Sequence, residues 1–354
     1  MTLCQHFGAC GGCTLQDQSP DDYRALKRRG VIAALEKVGL GHVTVAEPIM
    51  APLNSRRRAA FKIEKTKGVL EVGFHGRASH AIVDMRECLV LTPALLKLTQ
   101  TVRDALMPIL HDGEKAELHA TDSDTGLDLS LRCERKLTPA LIGQLAKSFQ
   151  GQGVARLLFN NDMVLEEAIP AVTLGGAKVL LPPQAFLQAT REGEAALQSH
   201  VLELTKGAKN IADLFAGLGT FALALARKAK VHAVEQDATL LKALAAAARD
   251  TSGLKPITTE QRDLFNLPLT ALELKAFDAV VLDPPRAGAL AQSKALAASK
   301  VARIAYVSCD AASFARDAAI LVGAGFAPGT VTPIDQFLYS GHIELVAGFD
   351  RGGK

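Results

Sequence analysis

The second half of the chain alternates apolar, strand-like runs with alanine-rich, helix-like runs. The strand-like runs are NIADLFAGLG, VHAVEQD, FDAVVLDPP and RIAYVSC. The helix-like runs span 221–228, 238–250, 290–300 and 311–323. Strands that alternate with helices predict an α/β fold with a parallel sheet, and continuous apolar strands are typical of a sheet that is buried on both faces.

The first half has a different texture. Residues 21–38 predict an amphipathic helix, with Ser19 or Asp21 as its cap and Gly39 at its end. From 43 to about 180, short β-rich runs separated by turn residues predict an antiparallel region with helices near 93–109 and 137–149. We therefore predict a central β-rich domain over 43–183 and an α/β domain over 184–354.

The turn after the first predicted α/β strand is typical of a nucleotide-like site. Asp213 ends that strand, and Gly217 and Gly219 follow in the turn. Glu235 ends the next strand, where a carboxylate accepts hydrogen bonds from ribose hydroxyls. The turn lacks the G-K-[ST] of a phosphate cradle and the third glycine of a dinucleotide site. An adenosine-type ligand such as S-adenosylmethionine fits better, and a purely structural turn is the alternative.

Further candidate ligand-binding and catalytic residues lie in or after predicted strands. Asp263 is a candidate partner for an adenine amino group, and Asp283 precedes two prolines that stiffen its loop. Cys309 lies between a strand and the start of a helix, where we expect a lowered pKa and a reactive thiolate. A buried structural cysteine is the alternative. Glu344 is a carboxylate in an apolar, strand-like run, which requires either a role or an exposed edge.

Composition limits the setting in which these groups work. Hydrophobic residues make up 48% and charged residues 22% of 354 residues, and no apolar run is long enough to cross a membrane. No secretory signal is visible, so we expect a cytoplasmic protein, in which stable disulfides are rare. Three of the six cysteines fall at Cys4, Cys10 and Cys13, and such clustering favours metal ligands or catalysis.

Several motifs together resemble the RNA uracil-5-methyltransferases of the RumA/TrmA type. In the second half these are PPQAFLQ, DLFAGLGTF, VEQD, LDPPRAG, YVSCDAASFARD and DQFLYSGHIE; in the first half they are the cysteine pattern and NSRRRAAFKI. The resemblance implies a Rossmann-like class I methyltransferase domain, a central antiparallel β (α+β) domain and an N-terminal iron–sulfur segment. That segment would comprise residues 1–42 and 84–92.

The same resemblance implies a chemistry and a set of site residues. Cys309 would add to carbon 6 of uracil, and Glu344 would remove the proton from carbon 5 after methylation. The residues around S-adenosylmethionine would be Gln188, Phe215, Gly217, Gly219, Thr220, Glu235, Asp263 and Asp283. Thr220, Ala311, Leu338 and Tyr339 depart from residues common in the family, which affects the loops around the cofactor and the base.

The resemblance also implies a metal site. Members that modify ribosomal RNA carry an iron–sulfur site, and here Cys4, Cys10, Cys13 and Cys88 match its pattern. Four thiolates suit either zinc or iron–sulfur by spacing, and the resemblance favours a [4Fe–4S] cluster. Cys133 has no partner in this scheme and is interpreted as a packed strand residue.

The partner implied is RNA, with no membrane. Predicted phosphate contacts are Arg56, Arg57, Arg58, Lys62 and Lys65 on one strand, and Arg24, Lys27, Arg28 and Arg29 on the first helix. The four cysteines favour ribosomal over transfer RNA, and no additional N-terminal TRAM barrel is expected. A transfer-RNA enzyme and a non-catalytic iron–sulfur RNA-binding protein are the alternatives, and a monomer is assumed.

Overall fold

A computed structural model describes residues 4–351, which form two large β-sheets and a two-stranded ribbon. The helices are α1 (Pro20–Glu36), α2 (Pro93–Leu106), α3 (Pro139–Phe149), α4 (Arg191–Leu204), α5 (Ala222–Leu225), α6 (Ala238–Asp250), α7 (Leu290–Ala297) and α8 (Ala311–Gly323). The strands are β1 (Ile49–Met50), β2 (Arg58–Thr66), β3 (Val69–His75), β4 (Ile82–Asp84), β5 (Lys115–Ser123), β6 (Gly126–Cys133), β7 (Val154–Phe159), β8 (Asp162–Glu166), β9 (Ala171–Leu174), β10 (Ala177–Leu180), β11 (Asn210–Leu214), β12 (Lys230–Glu235), β13 (Ile257–Gln261), β14 (Ala279–Leu282), β15 (Arg303–Ser308), β16 (Phe326–Pro328), β17 (Thr332–Asp335) and β18 (Glu344–Arg351).

The larger sheet has nine strands in the order β1-β17-β18-β15-β14-β11-β12-β13, with β16 paired to β18. Strands β11 to β15 run parallel, so their carboxyl ends meet at one edge. Alternate side chains pack into separate cores on the two faces, with Val281 on one side and Val280 on the other. The predicted α/β fold with a buried parallel sheet is confirmed.

The smaller sheet has seven strands in the order β4-β3-β2-β5-β6-β7-β8. Its neighbouring strands are antiparallel, as predicted, except for β6 and β7, which run parallel. Helix α3 connects these two strands, and such a crossover returns the chain in the same direction. Helices α2 and α3 confirm the predicted helices near 93–109 and 137–149.

Helix α1 follows its predicted bounds closely. The Ser19 hydroxyl accepts from the Asp22 N–H at 3.2 Å, which satisfies one free donor of the first turn. Gly39 has a φ of 80°, the left-handed conformation that commonly ends helices. The buried face of α1, formed by Tyr23, Lys27, Val31 and Leu35, packs against α8 and β17.

Three segments lie against the larger sheet, although the predicted division places them outside 184–354. They are α1, β1, which pairs in parallel with β17, and the β9–β10 ribbon, which packs on α6. Short runs carry little information about the sheet they will join, because pairing partners are distant in the chain. The three-domain division stays a prediction.

No helix between residues 4 and 351 combines the length and the apolar character that a bilayer crossing requires.

Candidate active site and cysteine cavity

A cavity of about 460 Å³ opens at the carboxyl edge of the parallel strands. Phe215 follows β11, Glu235 ends β12 and Asp283 follows β14. Cys309 follows β15, and Glu344 begins the adjacent strand β18. All five side chains line the cavity, so the sheet brings residues from five separate stretches of sequence to one place.

The turn after β11 fixes the Glu235 carboxylate. Gly217 has a φ of 54°, and a Cβ on it would meet no atom within 4 Å, so this glycine faces open space. Its N–H donates to Glu235 Oε2 at 3.0 Å. The other oxygen, Oε1, accepts from the N–H groups of Gln236 and Asp237 at 2.7 and 3.0 Å. A carboxylate held by three backbone donors is well suited to accept further hydrogen bonds from ligand hydroxyls.

The second glycine of the turn has a packing role. Gly219 does not line the cavity, whereas Thr220 next to it does. Gly219 has a φ of 88°, and a Cβ there would lie 2.3 Å from Leu244 Cδ1 on α6. The turn can therefore approach α6 only with glycine at this position.

The structure does not bring Asp263 into the cavity. Its carboxylate accepts from the Phe265 N–H at 2.9 Å and from Asn266 Nδ2 at 2.6 Å, which stabilises its own turn. Phe265 lines the cavity instead, with its ring centroid 5.4 Å from that of Phe215. Sequence reasoning missed Phe265, although an aromatic residue two positions after a candidate ligand was the available signal.

Gln188 lines the cavity, and a chain of buried hydrogen bonds orients its amide. Its Nε2 donates to Asp283 Oδ2 at 3.4 Å, and its Oε1 accepts from Gln336 Nε2 at 2.6 Å. The Gln336 Oε1 accepts in turn from the Thr190 N–H at 3.3 Å. These bonds orient the Gln188 amide, so that its donor faces the Asp283 carboxylate. Gln336 was not found by sequence reasoning.

The expected lowering of the Cys309 pKa is wrong. The pKa of this thiol is raised to about 11, first by burial and then by the negative charges of Glu344 and Asp283. The carboxylate of Asp310, which caps α8 by accepting from the Ser313 N–H at 2.8 Å, already occupies the helix N-terminus. Burial and neighbouring carboxylates outweigh the helix dipole in the ligand-free protein.

Glu344 is buried within the sheet, since β18 lies between β15 and β17. An exposed edge therefore does not explain this carboxylate. Burial raises its pKa to about 8, and the charge of Asp283 adds to the shift. Burial likewise raises the pKa of Asp283 to about 7. The cavity thus holds acidic groups that bind protons more tightly than usual, and a cation beside them would lower their pKa values again.

Cys309 also borders a second cavity of about 480 Å³, which lies between α1 and the first turn of α8. Arg286 lines both cavities. The thiol therefore faces two spaces, which a cofactor and a second reactant can occupy separately.

The predicted RNA-contact run is largely internal. Arg57 is buried, with Nη2 2.6 Å from Glu194 Oε2 and with Nε donating to the Gln188 carbonyl at 3.0 Å. The Arg58 Nη1 donates to the Leu187 carbonyl at 2.6 Å. The assignment of Arg57 to RNA phosphate contact is corrected accordingly: its guanidinium supports the loop that carries Gln188.

Three other members of the run, Arg56, Arg58 and Lys62, lie at or beside cavity rims, whereas Lys65 Nζ donates to the carbonyl oxygens of Met107 and Leu110 at 2.7 and 2.9 Å. Arg58 stacks 4.6 Å from the ring centroid of Phe186, a cavity residue that is 62% exposed. Arg56 and Lys62 line the cysteine cavity described next, and Lys62 pairs with Glu117 at 2.7 Å. Their contact with RNA stays a prediction.

The four predicted metal ligands, Cys4, Cys10, Cys13 and Cys88, line a further cavity of about 460 Å³. The N–H of His6 donates to Cys4 Sγ and that of Gly12 to Cys10 Sγ, each at 3.4 Å. Burial first, and then neighbouring thiols among other charges, raise the pKa of Cys13 to about 11. Within residues 4–351, no three His, Cys, Asp or Glu side chains are arranged to hold a metal ion.

The strand order, the glycine turn and the acidic cavity define a class I methyltransferase fold with a nucleoside-type cofactor site. Comparison with known proteins supports this class. The profile of the tRNA (uracil-5-)-methyltransferase family matches residues 156–349. The chain belongs to this family and is an RNA methyltransferase that uses S-adenosylmethionine, with RNA uracil carbon 5 as the site of methylation.

The similarity to individual relatives covers nearly the whole chain. An uncharacterized RNA methyltransferase of Rhizobium meliloti is 45% identical over 98% of this chain and 85% of its own length. The 23S rRNA (uracil(1939)-C(5))-methyltransferase of Aeromonas hydrophila is 29% identical over 99% and 82%. The crystal structure of Pyrococcus abyssi tRNA (uracil-54, C5)-methyltransferase with S-adenosyl-L-homocysteine has a TM-score of 0.73 at 20% identity and covers 96% and 86%, which supports the fold.

Proposed function

We propose that the protein methylates carbon 5 of one specific uridine in 23S ribosomal RNA, with Cys309 as the nucleophile and Glu344 as the base. The observation that carries this proposal is a thiol and a buried carboxylate in the same cavity as Glu235 and Asp283. Carbon 5 of uracil is a poor nucleophile until a group adds to carbon 6. A thiol nucleophile is therefore required here, whereas methylation of an exocyclic amine needs none.

The first step uses the Cys309 thiolate. Its sulfur forms a bond to carbon 6, and the electron pair of the carbon 5–carbon 6 double bond becomes an enolate that makes carbon 5 nucleophilic. S-Adenosylmethionine supplies the methyl group when it is bound. The high pKa of the thiol disfavours this step, so we expect a cation bound beside Cys309 to promote release of the thiol proton to solvent.

The second step uses the Glu344 carboxylate. It accepts the carbon 5 proton, the electrons of that C–H bond restore the double bond, and the electrons of the carbon 6–sulfur bond return to Cys309 as a thiolate. With a pKa of about 8, Glu344 is mainly protonated near neutral pH, so we expect it to release that proton to solvent and act as the base once a cation bound nearby lowers its pKa.

The residues that would hold the cofactor divide by chemistry. Glu235 would accept from ribose hydroxyls, and the rings of Phe215 and Phe265 offer aromatic faces to the adenine. Gln188 and Asp283 provide polar atoms for the charged end of the molecule. Thr220 completes the wall of the same cavity.

We further propose that Cys4, Cys10, Cys13 and Cys88 hold a [4Fe–4S] cluster with a structural role. The four thiols share one cavity, and N–H groups donate to two of the sulfurs, as is usual at such sites. Zinc is the alternative metal by ligand chemistry, and the resemblance favours the cluster.

Ribosomal RNA is the favoured substrate, and transfer RNA is the alternative. The matching family profile is named for transfer RNA, while the relative of known target from Aeromonas hydrophila acts on 23S rRNA. The four cysteines favour the ribosomal branch by resemblance. The exposed Phe186 ring at the cavity mouth offers a stacking surface to an extruded pyrimidine. A cytoplasmic monomer remains our expectation.

A trapping experiment tests the chemistry. In RNA with 5-fluorouridine, fluorine replaces the proton that the base must remove, so the covalent adduct persists. We expect a stable protein–RNA adduct that carries label from S-adenosylmethionine, and no adduct with Cys309→Ala. Adduct formation by Cys309→Ala would show that another group is the nucleophile.

A mapping experiment tests the substrate. We expect one 5-methyluridine in 23S ribosomal RNA to disappear from cells that lack the gene and to return on complementation. Loss from transfer RNA alone would favour the alternative substrate.

A further inference from the structure

Lys27 is a buried cation on helix α1, although the sequence suggested a phosphate contact. Its side chain is 2% exposed, and that of its partner Asp335 is fully buried. Lys27 Nζ donates to Asp335 Oδ1 at 3.1 Å and also to the carbonyl oxygen of His342. Lys27 is therefore not an exposed phosphate contact: its charge is paired inside the protein, at the wall of the second cavity beside Cys309.

The two partners of Lys27 lie at opposite ends of one loop. Asp335 ends β17, Glu344 begins β18, and residues 336–343 connect them. Ile334 and Glu344 are paired in the antiparallel register of these strands. A single ammonium group therefore joins the start of the loop to its last turn, two residues before the proposed base.

Other bonds hold the same loop against α1. The Tyr23 hydroxyl donates to Asp335 Oδ2 and accepts from the Tyr339 N–H at 2.7 Å. Asp335 Oδ1 also accepts from the Phe337 N–H at 3.0 Å. The carboxylate of Asp335 thus accepts hydrogen bonds from Lys27, Tyr23 and the loop backbone.

A buried ion pair is weakly stabilising, because desolvation of both charges offsets their attraction. Well-packed apolar residues would hold α1 against the sheet equally well. The distinctive contribution of the Lys27–Asp335 pair is to orient the loop. The ammonium group fixes the His342 carbonyl and therefore the backbone that leads into Glu344.

We propose that Lys27 is a positioning residue for the base: its bonds to Asp335 and His342 hold the 336–343 loop so that Glu344 reaches the carbon 5 proton. This inference rests on the proposed function. Nucleophilic attack and methyl transfer need Cys309 and the cofactor site but not the base. Gln336 and His342 lie on the same loop, near the cofactor cavity and the second cavity, so we expect loss of Lys27 to slow proton removal most and cofactor binding least.

The test uses Lys27→Met, which keeps the aliphatic length of the side chain and removes the ammonium. With unmodified uridine RNA and S-adenosylmethionine, we expect turnover to fall roughly tenfold or more, with methylated protein–RNA adduct accumulating on denaturing gels. The rate of adduct formation on 5-fluorouridine RNA and the binding of S-adenosylhomocysteine should stay within about twofold of wild type.

Arg156→Met is the matched control. Arg156 forms a buried pair with Asp128 at 2.7 Å in the smaller sheet, away from the base. We expect this variant to lose stability without accumulating adduct. If Lys27→Met is poorly folded, the double variant Lys27→Met/Asp335→Asn avoids an unpaired buried carboxylate and should accumulate adduct in the same way.

Three outcomes would overturn the inference. They are wild-type turnover by folded Lys27→Met, equal loss of turnover and of adduct formation, and adduct accumulation by Arg156→Met. Glu344→Gln, assayed in parallel, distinguishes a failure of the proposed base from a failure of the positioning role of Lys27. If it fails to accumulate adduct, the proposed role of the base is wrong; if it accumulates adduct and Lys27→Met does not, only the positioning role fails.

Discussion

The negative charge of Glu344 raises the pKa of the Cys309 thiol, so the proposed base and the proposed nucleophile are electrostatically coupled across one cavity. Burial is the larger contribution, and the resulting pKa of about 11 leaves little thiolate at neutral pH. The proton state of Cys309 therefore depends on that of Glu344.

Removal of the Glu344 charge should make the thiol more acidic. We expect Glu344→Gln to lower the pKa of Cys309 by roughly one unit, because one of its two anionic neighbours is lost. The measurement is the pH dependence of iodoacetamide alkylation of the peptide that contains Cys309, followed by mass spectrometry. Cys133, which lies outside this cavity, is the internal control, and an unchanged Cys309 midpoint would contradict the coupling.

A cation in the cavity should have a similar effect. S-Adenosylmethionine and S-adenosylhomocysteine differ by one methyl group and the sulfonium charge, so they form a matched pair of ligands. We expect only the cationic ligand to accelerate alkylation of Cys309 at pH 8, by roughly tenfold, because a positive charge stabilises the thiolate. Equal acceleration by both ligands would point to a conformational effect instead.

Burial of Glu344 should make stability depend on pH. Its pKa is about 8 in the folded protein and 4.5 ordinarily, so the folded state binds the proton more tightly than the unfolded chain. The free energy of unfolding therefore falls as pH rises from 4.5 to 8. We expect Glu344→Gln to exceed wild type in stability at pH 8, by on the order of 4 kcal/mol, and to come within about 1 kcal/mol of it at pH 5. Urea unfolding at the two pH values measures this, and a pH-independent difference would refute it.

The two glycines of the β11 turn should respond differently to alanine. Gly219→Ala combines a left-handed backbone with a contact 2.3 Å from Leu244, so we expect a loss of roughly 2–4 kcal/mol in unfolding free energy. Gly217→Ala meets no atom and should cost only about 1–2 kcal/mol, yet its methyl group faces the cavity and should weaken S-adenosylhomocysteine binding. Denaturant unfolding and calorimetric binding separate the effects, and equal destabilisation would contradict the packing role of Gly219.

The cysteine cavity should bind iron. We expect an anaerobic preparation to be brown and to contain iron and sulfide, and Cys13→Ala to lose both while any folded protein still binds S-adenosylhomocysteine. Cys133→Ala is the matched control, because Cys133 does not line that cavity. A colourless protein with one bound zinc would exclude the cluster.

The parallel sheet and the location of the site were predictable because they depend on local patterns. The alternation of apolar strands and helices fixes the parallel sheet, and the carboxyl ends of its strands then gather Glu235, Asp283 and Cys309. The proposed role of Glu344 comes from the motif resemblance. Its burial depends on β18 inserting between two strands, which no local pattern reveals.

Side-chain environments were harder to predict, because exposure is a tertiary property. Arg57 and Lys27 appear as basic surface residues in the sequence, yet both are buried in ion pairs with Glu194 and Asp335. The pKa of Cys309 is raised, whereas the sequence predicted a lowered value. The position of Cys309 before a helix can be recognised in the sequence, but its burial and its neighbouring carboxylates cannot. Asp263 was predicted to line the cavity and does not, whereas Phe265 lines it without having been predicted, because the direction of a side chain is also a tertiary property.

Strand β18 has a consequence for biosynthesis. It pairs with β15, β16 and β17, and it follows every other described strand in the sequence. A growing polypeptide can form the smaller sheet and the β11–β15 core early, but β17 and β1 remain separate from that core until β18 is inserted. The proposed base, Glu344, arrives with that last strand. During synthesis the chain therefore acquires Cys309 before Glu344, and the cavity that both residues line is complete only once β18 has paired with β15.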